Sequence, residues 1–207
     1  MKTTFQAFVS STYEDLKEHR ARVIQTLRKS GFFVDPMEDW TAATDAPRQF
    51  SQDRVLGCDL FVLLVGLRRG HIPDNQSLSI TQLEYMAAAR EGIDTLVFML
   101  DEQAPWPRQF DELDKDPGIR EWRQTLKKSK GVAFFDHNLN SVDIAPALTR
   151  WSMEKAREMA TAVQDLEHLL RERDTIKRSR SFRNIKTLQS SIEQLQSLEA
   201  GQALRPS

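Results

Sequence analysis

The chain has 207 residues, enough for one well-buried core plus an appended segment but short for two full domains. Its 29 Lys and Arg against 30 Asp and Glu give no global attraction to nucleic acid or an anionic membrane, and the single cysteine, Cys58, excludes an internal disulfide framework or a multi-cysteine zinc site. The N-terminus has no sustained apolar h-region and no apolar run approaches membrane-span length, so a cytoplasmic, membrane-free protein is expected.

In chain order, Thr4 to Val9 is rich in β-formers and ends in the polar group Ser10, Ser11 and Thr12, which reads as a strand followed by a helix cap. Leu16, Val23, Ile24 and Leu27 then share one face of a helix with Glu14 and Asp15 near its positive end and a stop at Gly31. Phe32 to Met37 reads as a short or edge strand because of Asp35 and Pro36. Glu38 to Pro47 is a polar, turn-rich loop around Trp40, and Arg48 to Leu56 a short helix.

Cys58 to Val65 is a continuous apolar run of strand length, as expected of a central parallel strand covered on both faces. The loop Gly66 to Leu78 follows, with two glycines, a proline and the two arginines Arg68 and Arg69, at the end of that strand, where open α/β sheets bind ligands. Ser79 and Gln82 fit an S-x-x-Q capping box and Gly92 a helix stop. On the helix between them, Ile80, Leu83 and Ala87 form the expected core stripe, with Thr81, Glu84 and Ala88 beside it at the edge of burial. Ile93 to Leu100 is a fourth strand, Ile119 to Lys128 a charged helix, and Val132 to Phe135 a fifth strand. Right-handed crossovers make this alternation a five-stranded parallel sheet sandwiched by helices.

From Ser141 onward the pattern is helical, dividing the chain into an α/β domain over residues 1–140 and a helical arm or hairpin over 141–207. Met159, Val163, Leu166 and Leu170 follow a 4-3-4 spacing, and Ile185, Leu188, Ile192 and Leu195 follow 3-4-3, both coiled-coil-like. Ser179 to Ser181 interrupts the stripe, which allows a hairpin or an arm for a partner protein or a second copy. The basic stretch Arg171 to Lys186 lacks interleaved aromatics beyond Phe182, so a solvated face or an acidic partner is favoured over nucleic acid. His19, His71, His137 and His168 are scattered without metal-ligand spacing, and no metal is assigned.

The succession FVSSTYEDLKEHR, MEDW, CDLFVLLVGLRRGHIP, SITQLEY and GIDTLVFMLDE resembles the DUF4062 domain, which is similar to TIR domains. The resemblance implies a flavodoxin-like, TIR-like sheet of order 2-1-3-4-5 and a role in signalling or immune defence. DUF4062 domains often precede STAND-type ATPase modules, but no GxxxxGK[ST] motif occurs here. Enzymatic TIR domains cleave NAD at the nicotinamide–ribose bond with a glutamate on the helix after the third strand, the place of Glu84. Ile80 and Thr81 stand where many TIR domains carry Trp-Cys, whereas Thr81-x-x-Glu84-x-x-x-Ala88 is similar to nucleoside deoxyribosyltransferases.

Both resemblances put Glu84 at an anomeric carbon, where a carboxylate stabilises or traps an oxocarbenium ion. NAD enters as substrate and no cofactor is assigned. Ser10 and Ser11 are placed as ribose or phosphate contacts, with helix capping as their simpler role. Arg68 and Arg69 are pyrophosphate partners or solvated charges, Trp40 a base-stacking or packing residue, and Thr81 a substrate contact beside Glu84. Three readings remain open: an NAD hydrolase activated by oligomerisation, a non-catalytic interaction module, and a nucleoside or nucleotide N-glycosidase or deoxyribosyltransferase.

Overall fold

The computed structural model describes residues 4–34, 54–129 and 131–202. Its strands are β1 (Gln6–Ser10), β2 (Phe33–Val34), β3 (Leu60–Val65), β4 (Asp94–Leu100) and β5 (Val132–Phe135), and its longer helices are α1 (Lys17–Lys29), α2 (Ile80–Arg90), α3 (Pro117–Ser129) and α4 (Ala145–Gln202). All strand pairs are parallel and the order is β2-β1-β3-β4-β5, the flavodoxin-like order expected from the sequence. Residues 54–56 are helical; the remainder of the expected Arg48–Leu56 helix, the end of the second strand and Trp40 lie outside the described residues.

The apolar run expected at the sheet's centre is there. All six residues of β3 are buried, because β1 and β4 flank it and both faces are covered. Phe8 and Phe61, opposite each other in register, stack with centroids 5.8 Å apart. One core cluster joins these rings to Leu63, Val65, Val97 and Met99 and to Ile119 and Leu126 of α3. Cys58 packs against this cluster just before β3, and burial pushes its thiol up to about 11, so it stays protonated and unreactive at neutral pH.

Two boundaries move relative to the sequence pattern. β1 extends to Ser10, which therefore belongs to the sheet and does not cap α1. α1 itself begins at Lys17, after a turn over residues 14–16 that holds Asp15 in the interior.

The chain separates into two compact units, Met1–Leu148 and Thr149–Ser207. A helical hairpin is not what forms at the C-terminal end. α4 is one helix of 58 residues that runs unbroken through Ser179, Arg180 and Ser181. Three polar residues interrupt an apolar stripe without interrupting backbone hydrogen bonding, and from Ala147 to Ala200 the chain has neither Pro nor Gly to break the helix.

One side chain that the pattern did not single out fixes the ends of the central strands. Arg123 of α3 is 1% exposed, and its guanidinium donates to Gly66 O at 2.7 Å, Val65 O at 3.4 Å and Leu100 O at 2.6 Å. Glu102 supplies the countercharge at 3.3 Å and is itself held by Lys127 at 2.8 Å. The Lys127 hydrogen bond, with help from Arg123, holds the Glu102 carboxyl below the usual glutamate range. Replacing Arg123 by Met would strand these carbonyls in the interior. The expected loss is about 3–5 kcal/mol of unfolding free energy, measured by urea denaturation; a loss under 1 kcal/mol would contradict this role.

Candidate active site

Between β1 and β3 the chain reverses its winding, with the connection after β1 leading outward to β2 and the one after β3 leading to β4. The crevice at the carboxyl ends of these two strands is where α/β sheets receive ligands. Here a cavity of about 230 Å³ is lined by residues from the end of β1, the turn before α1, the loop after β3 and the first turns of α2.

The position of α2 comes from its cap. Ser79 Oγ accepts from Gln82 N at 3.4 Å while Ser79 N donates to Gln82 Oε1 at 2.9 Å, the reciprocal pair expected from S-x-x-Q. Gly92, at φ 68°, ends the helix. The buried face differs from the expected one: Thr81, Gln82, Glu84 and Ala88 are buried, while Ile80, Leu83 and Ala87 are only partly so. The cap and the polar end of β1 draw the Thr81–Glu84 stripe inward, because those polar groups find partners there and the apolar stripe has the softer requirement.

Glu84 is 8% exposed and lines the cavity. Ser10 Oγ donates to its Oε2 at 2.5 Å, a bond between positions 74 apart in the chain. Ser10 is 1% exposed, and its hydroxyl orients the carboxylate. Ser11, Thr81 and Arg68 do line the cavity, as do Thr12, Glu14 and His71.

The two arginines part company. Arg68 reaches the cavity while its Nε donates to Glu112 Oε1 at 3.3 Å and its guanidinium lies 5.7 Å from the Phe110 ring centroid. Arg69 is not brought to the cavity wall. It donates to Gln82 Oε1 at 3.3 Å and to Ser77 O, and lies 3.5 Å from Asp116, so it serves the α2 cap and the α3 approach. Trp40 lies outside the described residues.

Two glycines let the loops close on each other. A Cβ on Gly66 would sit 2.5 Å from Asp15 Oδ2, and one on Gly70, which has φ 83°, would sit 2.8 Å from Thr12 Cγ2. Thr12, Asp15, Gly70 and His71 escaped the sequence reading. Only the placement of Ser10–Thr12 and of the 66–78 loop at neighbouring strand ends pointed to them, and His71 was set aside for lack of metal spacing.

Asp15, packed against Gly66, is 8% exposed, and neither of its oxygens has a hydrogen-bond partner among the described residues; the same is true of the buried hydroxyls of Ser11 and Thr12. Burial pushes the Asp15 carboxyl above the usual aspartate range, against the opposing pull of the nearby Thr12 hydroxyl and the Arg68 charge.

The family model described as a domain of unknown function, DUF4062, matches residues 6–150. The chain belongs to the DUF4062 family. That match covers the whole sheet and the cavity. No curated protein matches the sequence of this DUF4062 chain. A solved structure, the Clostridium botulinum CMP N-glycosidase BcmB, is similar to it over 72% of this chain and 98% of that one, at 17% identity and a TM-score of 0.39. Among the described residues no group of three or more His, Cys, Asp or Glu is arranged to hold a metal ion, and no helix is long and apolar enough to cross a membrane.

The raised Asp15 carboxyl sets a pH dependence with a definite sign. The folded chain holds this proton at pH values where the unfolded chain, near the ordinary value of 3.8, has released it. Asp15 therefore destabilises the fold above its folded pKa, and this cost fades as pH falls to the unfolded value. Asp15→Asn should raise the thermal midpoint at pH 7 and lose that advantage below about pH 4 in a melting series; an advantage independent of pH would contradict the assignment.

Proposed function

We propose that the cleft binds a nucleotide and that Glu84 promotes hydrolysis of its N-glycosidic bond. The observation that supports this reading is the buried Glu84 carboxylate, held in one orientation by Ser10 on the wall of a cavity at the sheet's switch point. Breaking an N-glycosidic bond builds positive charge on the ribose. A carboxylate already oriented and partly desolvated stabilises that charge without reorganising.

In this reading Thr81 and Ser11 contact the ribose, and Arg68 with Ser11 and Thr12 receives a phosphate oxygen. A cavity of about 230 Å³ suits one ribosyl unit with its base. NAD, whose nicotinamide leaves as a neutral molecule, and nucleoside monophosphates both belong to the substrate class. The test is release of free base or nicotinamide from NAD, nucleoside monophosphates and nucleosides. At least one should be cleaved, with the rate falling by roughly 10²-fold or more in Glu84→Gln. Intact substrates throughout, or full turnover by the variant, would overturn the reading.

The long helix favours a second role, in assembly. Met159, Val163, Leu166 and Leu170 and then Ile185, Leu188 and Ile192 are between 41% and 64% exposed. At 3.6 residues per turn they fall within a stripe about 100° wide. We infer that this stripe pairs with a second copy of the chain and that assembly gates hydrolysis, as a signalling or defence effector requires. Two antiparallel copies lay the 159–170 segment of one beside the 185–195 segment of the other, apolar segment against apolar segment. Their basic Arg171–Lys186 stretches then face each other, and salt should tighten the pair by screening them. Sedimentation should show a dimer favoured by salt and lost in Leu166→Glu; a monomer at every ionic strength, or dissociation by salt, would remove this role.

A further inference from the structure

The reaction proposed for the cleft needs something that Glu84 does not supply. When the C1′–N bond of an ordinary nucleotide breaks, the bond pair goes to the leaving nitrogen, and an unprotonated base departs as an anion. A proton must reach that base, from a donor placed on the cleft wall.

The titratable side chains lining the cavity are Tyr13, Glu14, Arg20, Arg68, His71 and Glu84. Arg20 is turned into the structure, donating to Val9 O at 2.5 Å, and arginine does not release its proton in proteins. Arg68 is engaged by Glu112 and shares that limit. Glu14 and Tyr13 carry side-chain types that serve as general acids less often than histidine. Glu84 is assigned to the ribose. The remaining group is the imidazole of His71, the side-chain type that most often serves as general acid or base in catalysis.

Its position is tied to the helix that carries the carboxylate. His71 O accepts from Ile80 N at 3.0 Å, which fixes the His71 backbone at the N-terminus of α2, one turn ahead of Glu84. Gly70, packed on Thr12, holds the preceding residue against the opposite loop. His71 itself is exposed and lines the cavity, so it can meet both solvent and a bound base.

We propose that His71 is the general acid of the cleft, donating a proton to the departing base. The step balances as follows. The C1′–N bond breaks and its electron pair takes the imidazolium proton. A water oxygen bonds to C1′, and the proton that water sheds returns the imidazole to its charged form. The products are the free base and a ribosyl alcohol. This assignment rests on the N-glycosidase reading and adds the acid to it.

The experiment compares two substrates in wild type, His71→Gln and Glu84→Gln: a pyrimidine nucleoside monophosphate, whose base requires a proton, and 4-nitrophenyl ribofuranoside 5-phosphate, whose leaving group departs as a stable anion. His71→Gln should slow the pyrimidine substrate by roughly 10²–10⁴-fold and the nitrophenyl substrate by no more than a few-fold, with an unchanged melting midpoint. Glu84→Gln should slow both. Equal loss on the two substrates, or loss on neither, overturns the assignment of His71 while leaving the N-glycosidase reading in place. If wild type cleaves neither, that reading falls and His71 with it.

Discussion

The buried guanidinium of Arg123 is the constraint on which the working end of the sheet depends. A cation with 1% exposure is tolerable only where oxygens surround it, and here the carbonyls that end β3 and β4 do so together with Glu102. Those carbonyls would otherwise have no strand partner beyond the sheet's edge. By taking them, α3 fixes where the loop from Gly66 begins, and hence where Arg68, Gly70 and His71 stand.

From that fixed start the two loops of the cleft approach as closely as backbone allows. Gly66 and Gly70 leave out the side-chain atoms that would collide with Asp15 and Thr12. The approach also traps polar groups: an Asp15 carboxyl pushed up by burial, and the Ser11 and Thr12 hydroxyls without partners among the described residues. Unpaired polar groups at the base of a cleft cost stability, and such costs concentrate where a ligand supplies the missing partners. Ser10 and Glu84 show the opposite solution on the same wall, a hydroxyl and a carboxylate satisfied by each other across 74 positions.

The exposed face of α4 has a different physical character. Helices draw most of their stability from packing an apolar face, and this one carries its apolar residues largely in water over 58 residues. Its strong helix formers and the absence of Pro and Gly from Ala147 to Ala200 explain why it is continuous.

Sequence alone determined the alternation of strands and helices, the parallel sheet, the buried centre at Leu60–Val65 and the Ser79–Gln82 cap, because each follows from periodicity, capping chemistry and the handedness of crossovers, all local or general rules, while the strand order came from the family resemblance. It also brought Glu84, Thr81, Ser11 and Arg68 to one edge of the sheet. Only the tertiary structure decided which stripe of α2 turns inward, that Ser10 orients Glu84 instead of meeting a ligand, and that Arg69 braces the helix cap while Arg68 lines the cavity. It alone revealed Arg123 and Asp15, whose roles exist only through partners distant in sequence. Their reason is the same throughout: a polar group's role is set by which partner lies within hydrogen-bond reach once the chain has folded, and that distance is not written in spacing along the chain.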